Sequence, residues 1–295
     1  MISLYKKRWQ WTSLLFLSFV WGASFILIKR GLDTFSSVQV ASIRIFISFL
    51  ILLPISIKNL KLVNKNNIII LIISGLLGNF FPAFLYTFSQ TQISSSLAGI
   101  LNALTPFFVL IIGVVAFKNK PSILQYFGIF IGFIGAMLLI TNGDFRSFGN
   151  ISIFVLPIIL ATLMYGVNAN IVRFKLRKMS GMQIISLTFL FIGPIAGVVL
   201  LFTDLSTPFH SPDFASGLLI IAVLALFGSV ITLFIYYELI HHTGAIFASS
   251  STYIIPFFAL MWGILDGENV SKIHLYCLII ILLGVYLSSK QKKNI

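Results

Sequence analysis

The sequence predicts an all-α membrane protein: ten transmembrane helices built as two inverted five-helix repeats, with both termini cytoplasmic. Three observations carry this expectation. Hydrophobic residues fill 58% of the 295 positions and charged residues 9%, with a mean hydropathy of +1.05; soluble domains hold about 45–50% apolar and about 25% charged residues. Apolar stretches of about 20 residues, the length that crosses a bilayer as a helix, recur along the whole chain. Residue patterns in the first half return in the second at a near-constant offset. Disorder is excluded by the same composition, since disordered chains are poor in apolar residues.

The runs fall at about 10–28, 38–57, 68–88, 97–117 and 122–141, then at about 151–171, 182–202, 216–237, 245–265 and 273–289. Helices are favoured over strands because a barrel strand needs only about 9–11 residues, and because each helix satisfies its own backbone in lipid. The first run follows Lys6, Lys7 and Arg8, as a signal peptide's apolar core would. It is long for that role and has a counterpart later in the chain, so it is expected to be retained. Segments between runs, such as 58–67 and 203–213, are short and polar and leave no room for a soluble domain. The single cysteine, Cys277, lies in the tenth run, where it serves as a small buried apolar residue.

Basic residues set the orientation. With the N-terminus inside, the inner segments hold Lys6, Lys7, Arg8, Lys58, Lys61, Lys65, Lys118, Lys120, Arg173, Lys175, Arg177, Lys178, Lys290, Lys292 and Lys293. The outer segments hold only Lys29, Arg30, Arg146 and Lys272. This bias places both ends in the cytoplasm of a multi-pass protein of the cell (cytoplasmic or inner) membrane. The net charge of +13 is thereby accounted for, and no contiguous basic face remains to follow a nucleic acid.

The repeat is arithmetical. Gly78, Tyr86, Pro106-Phe107-Phe108 and Gly113 return 150 positions later as Gly228, Tyr236, Pro256-Phe257-Phe258 and Gly263. Trp21-Gly22 and Gln39 return 144 positions later as Tyr165-Gly166 and Gln183. The halves are taken as 1–145 and 146–295. Five spans per half turn the second half over in the membrane, an architecture of secondary transporters that bind near the bilayer midplane.

Several stretches resemble the EamA-type branch of the drug/metabolite transporter superfamily. They are Trp21-Gly22-Ala23-Ser24-Phe25 leading to Lys29, Arg44 after Val40-Ala41-Ser42-Ile43, Leu104-Thr105-Pro106-Phe107, and Gly128 to Gly135. The second half is similar through Tyr253 to Phe258, Gly267-Glu268 and Gly284. One departure stands out: the Gly-Glu that often follows the fourth span is here Phe117-Lys118-Asn119-Lys120. The resemblance implies a ten-helix exporter or facilitator of small metabolites working by alternating access.

Polar residues at mid-span are the candidate substrate site. They are Trp21 and Ser24 in the first run, Asn79 and Tyr86 in the third, Asn102 in the fourth, and Tyr165 and Asn168 in the sixth. Tyr236 in the eighth run and Ser250 and Tyr253 in the ninth complete the set. Interhelical hydrogen bonding is the competing role for each of them. Arg44, the one charge deep in a span, costs about 2.5–3.5 kcal/mol on insertion. It either meets an anionic substrate group or anchors the helix by snorkelling or pairing with Asp33. Pro106 and Pro256 are candidate hinges or plain packing kinks. Glu238, near His241 and His242, is a weak candidate for a proton relay, against a solvated role at the interface. Gly128-x-x-x-Gly132 and Gly193-x-x-x-Gly197 suit close helix contact within the chain or a homodimer face.

No metal or cofactor is expected, because Glu-x-x-His-His is not a zinc signature and the four histidines sit at run ends. A pocket rich in Trp, Tyr and Phe suits neutral, zwitterionic or apolar metabolites, amino acids and related compounds first. The alternatives are a membrane-embedded enzyme acting on lipid or small substrates, for which the spans lack convergent catalytic groups, and a non-transporting membrane protein.

Overall fold

The computed structural model describes residues 6–140, 152–268 and 272–288. Helical segments correspond to all ten runs. They are α1 (Lys7–Leu32), α2 (Ser37–Asn59), α3 (Ile68–Ser89), α4 (Ser95–Val115) and α5 (Ile123–Ile140), then α6 (Val155–Phe174), α7 (Gly181–Leu201), α8 (Phe214–Thr243), α9 (Ala245–Leu265) and α10 (Lys272–Ser288). Among the described residues, eight of these are long and apolar enough to cross a membrane, the exceptions being α5 and α10. The helices outrun the apolar windows: α1 takes in Lys29 and Arg30, and α8 runs on through His241 and His242. Polar ends of a spanning helix remain helical because the backbone bonds do not depend on side-chain hydropathy. The residue 145/146 boundary, Arg146, Lys290, Lys292 and Lys293 lie outside the described residues.

Local sequence explains the starts. Ser36 and Ser180 head α2 and α7 with matching capping boxes, in which Gln39 and Gln183 return the bond. The two serines are 144 positions apart, like the glutamines.

Packing repeats with the same symmetry. The pairs α1–α9 and α6–α4 are equivalent, as are α1–α8 and α6–α3, while α2–α7 and α5–α10 pair across the middle. Glycines permit the closest approaches. A Cβ on Gly22 would sit 2.5 Å from Cβ of Phe258, and one on Gly166 would sit 2.8 Å from Cβ of Phe108. The α5–α10 crossing is closer still in kind, since a Cβ on Gly284 would meet backbone atoms, Gly132 N at 2.5 Å and Gly128 O at 2.6 Å. Gly193 and Gly197 of α7 face Phe49 and Phe46 of α2. Both small-residue patterns are thus occupied inside the chain. Large apolar side chains such as Leu50, Ile57, Leu219 and Tyr276 point outward, as a lipid-facing surface requires.

Two irregularities fall at repeat-related places. A π-helical turn interrupts α3 at Leu76–Phe80 and α8 at Leu226–Ile231, and their first residues are 150 apart. A tighter 3-10 turn, Asn102–Leu104, precedes Pro106 in α4. There the Asn102 carbonyl, which proline cannot bond, accepts from the Thr105 N–H instead. Its counterpart α9 breaks at Ser250, between Ala245–Ser249 and Ser251–Leu265.

Candidate functional site

A cavity of about 870 Å³, its open part included, lies between the halves and is lined from eight of the ten helices, α5 and α10 being absent from the lining. The π-helical turns help to form it. A π-turn widens the helix and leaves backbone groups free of their usual partner, and Gly78, Asn79, Gly228 and Ser229 from these turns all face the space. The Gly228 carbonyl accepts two bonds across the gap, from Trp21 Nε1 at 3.1 Å and from Arg44 Nη2 at 3.3 Å. Arg44 Nε donates to Ser229 Oγ at 2.9 Å. Arg44 does not pair with Asp33, which instead lies 3.5 Å from Arg30 one turn away on α1.

Aromatic pairs build two facing walls. Trp21 meets Tyr236 edge-on at 5.2 Å, and the repeat-related Tyr165 stacks with Tyr86 at 6.1 Å. Tyr86 Oη donates to Asn102 Oδ1 at 2.8 Å, and Asn168 Nδ2 donates to Tyr237 Oη at 3.1 Å while its Oδ1 accepts from Ser74 at 2.6 Å. Such bonds fix the amides and present ring faces and hydroxyl oxygens to the space.

Nine of the candidate residues therefore share one lining: Trp21, Ser24, Arg44, Asn79, Tyr86, Asn102, Tyr165, Asn168 and Tyr236. Ser250 and Tyr253 do not. The Ser250 hydroxyl folds back on the Phe247 carbonyl at 2.6 Å at the break in α9. Tyr253, fully buried, packs among Ile100, Ala103 and Leu260 with its ring against Gly132. Thr252, one position earlier, is the residue of α9 that lines the cavity. Glu238 lies away from the cavity, where its carboxylate caps α7 by accepting from the Gly181 N–H at 2.6 Å. Phe189, Leu233 and Tyr237 line the space without having been singled out. Nothing but a mid-span hydroxyl marked Tyr237, and it follows Tyr236 directly.

One end of the bundle carries a charge network. Lys29 Nζ on α1 donates to Asp266 Oδ2 at 2.7 Å and to Glu268 Oε1 at 3.0 Å, and Arg30 also pairs with Asp266. Glu268 accepts from both residues that open α4: the Ser95 N–H at 3.1 Å and hydroxyl at 2.8 Å, the Ser96 N–H at 3.2 Å, and the Ser96 hydroxyl. Burial would raise the Glu268 carboxyl, but the bonds from Ser96, Lys29 and Ser95 prevail and hold it at about 2. The Lys29 bond, followed by that from Arg30, likewise lowers Asp266. The ends of α1 and α9 and the start of α4 are thus tied together.

The opposite end is built on the same plan without the acid. Gly267 has φ +82° and the next N–H, that of Glu268, returns to the Gly263 carbonyl; Lys118 has φ +52° and the next N–H, that of Asn119, returns to the Gly113 carbonyl. The Lys118 loop holds one residue more than its counterpart, so Asn119, beside Gly113 as Glu268 is beside Gly263, stands where Glu268 does. Among the described residues, Arg173, the counterpart of Lys29 at the 144 offset, donates only to the carbonyls of Ile240 and His241, at 3.2 and 2.8 Å.

The profile of the EamA-like transporter family matches this chain twice, over residues 9–141 and 152–290. The chain belongs to that family. EamA-like sequence thus fills each half once, in keeping with the paired packing described above. Relatives from Escherichia coli strains K12, CFT073 and O157:H7, each named as an uncharacterized inner membrane transporter, YedA, are 26% identical over 94% of this chain and 89% of their own length. A solved structure described only as a crystal structure of a protein shares the fold, with a TM-score of 0.65 at 11% identity over 94% of this chain and 96% of the other. As an EamA-like protein with apolar helices throughout, the chain is a multi-pass inner-membrane transporter.

Proposed function

We propose that this transporter is a secondary carrier that moves small metabolites, such as amino acids or related compounds, by alternating access. The observation supporting it is the single lining that collects repeat-related residues from both halves: Trp21 with Tyr165, Tyr86 with Tyr236, and the two π-helical turns. Related halves can exchange conformations, so that one side closes as the other opens. In this scheme all ten helices cross the bilayer and both termini are cytoplasmic. The network of Lys29, Arg30, Asp266 and Glu268 then closes the outer side, and opening there requires its rupture. Pro106 and Pro256 act as the bending points of α4 and α9. Glu238 has a structural partner in Gly181, which speaks for facilitated exchange over a proton relay at that residue.

Counterflow tests this. Proteoliposomes loaded with unlabelled metabolite should accumulate external label with no ion gradient. Absence of accumulation across a broad panel, with imposed proton and sodium gradients also without effect, would remove the carrier reading.

A further inference from the structure

We infer that the recognised group of the cargo is a carboxylate, held end-on by Arg44. This rests on the carrier reading and narrows its substrate class. The first support is an accounting of charge. The chain has seven acidic residues. Asp144 lies outside the described residues, and the other six are all at helix ends: Asp33 beside Arg30, Asp266 and Glu268 in the network with Lys29, Asp204 bonded to Ser206, Glu238 on the Gly181 N–H, and Asp213 exposed just before α8. Among the described residues, no carboxylate lies within ion-pair distance of Arg44, and none lines the cavity. The space therefore carries one fixed positive charge and no negative one.

The second support is the direction of the guanidinium. Its Nε edge is used, Nε on Ser229 and one Nη2 hydrogen on Gly228. Among the described residues Nη1 has no bonded partner, which leaves the Nη1–Nη2 end of the fork for two parallel bonds. That is the geometry in which arginine holds a carboxylate. Ser229 and the π-turn carbonyl of Gly228 act as the clamp that aims it. The walls of the same space include the rings of Trp21, Tyr165 and Tyr236, which suit an apolar or aromatic body. An α-ammonium beside that carboxylate would lose its water with no acid in the lining to meet it, and would lie close to the Arg44 charge. The preferred cargo is accordingly a monocarboxylate such as a 2-oxo acid; the matching amino acid is accepted no better, and its amide or ester is refused.

The test uses the purified full-length protein and matched sets of ligands: a 2-oxo acid, its amide, the corresponding amino acid and the amino acid amide, each with aromatic, branched and small side chains. Binding is read as a ligand-dependent rise in Tm, and exchange as counterflow in proteoliposomes. In at least one set the acid should bind about 10–100-fold tighter than its amide, the difference expected for hydrogen bonds to a charged group. Arg44→Gln should bring acid and amide to parity, and Arg44→Lys should fall between. If amides bind as well as acids in the unaltered protein, or no acid binds, the carboxylate assignment is overturned; this comparison needs no variant and so does not depend on Arg44 variants folding. Binding of acids with no counterflow, and with imposed proton and sodium gradients also without effect, would instead overturn the carrier reading and leave the assignment standing.

Discussion

Replacing Glu268 with glutamine removes one charge from the end network while keeping an oxygen that can accept from Ser95 and Ser96. The carboxyl group falls from the ordinary 4.5 to about 2, which corresponds to about 3 kcal/mol in favour of the ionised form at neutral pH. Its side chain is 10% exposed at the edge of the bundle, and Lys29 keeps Asp266 as a second partner. Screening and that residual pair reduce the expected loss to about 1–2 kcal/mol. The direct readout is hydrogen exchange at the start of α4, where the Ser95 and Ser96 amides donate to Glu268. With Glu268→Gln, these amides should exchange about 5–30-fold faster, the factor that 1–2 kcal/mol supplies, while peptides around Asn119 at the other end stay unchanged. Unaltered exchange at Ser95 and Ser96 would show that the network does not hold this end. A rise everywhere would report general loss of packing and equally refute the local account.

Further outcomes follow from other parts of the structure. Because Glu268 and Asp266 have depressed carboxyl pKa values, their contribution is complete above about pH 4.5 and fades as pH falls toward 2; exchange at Ser95 should therefore show no opening step tied to them between pH 5 and 8. Gly284→Ala sets a methyl against the backbone of Gly132 and Gly128; neither can rotate away, so Tm should fall by an amount corresponding to about 1–3 kcal/mol. Tyr86→Phe removes the donor to Asn102 Oδ1 and should lower counterflow while costing about 1–2 kcal/mol of stability; unchanged flux in a folded variant would remove Tyr86 from the pathway. Asn119→Glu places an acid at the position matching Glu268, and slower counterflow is expected as the second end acquires a restraint.

The fold was legible where residue type and register act together. Trp21 with Tyr165, and Gly78 with Gly228, mark equivalent positions by identity and offset, and each of these residues lines the cavity. Hydropathy could not separate cavity from core on α9, because the break at Ser250 sets the helical phase and turns Tyr253 into packing. Nor do the π-helical turns have a hydropathic signal, although Gly78, Asn79, Gly228 and Ser229 in them all line the space. The end network joins residues 237 and 239 positions apart. In the sequence Lys29 and Gly267-Glu268 stood out as parts of the family resemblance, but nothing there joined them to each other or to Arg30 and Asp266.

The unequal ends have a kinetic meaning. A carrier with no energy source must leave equal free concentrations on both sides, whatever its resting conformation. Preference between its two orientations appears instead as unequal half-saturation from the two faces, because apparent affinity falls with the fraction of molecules in the receptive state. An acid at Glu268 and an amide at Asn119 therefore predict a protein that waits with one mouth open. It would take up cargo readily at low concentration from the Asn119 face and need more from the Glu268 face. Exchanging the two side chains should reverse that order without altering the final distribution of cargo.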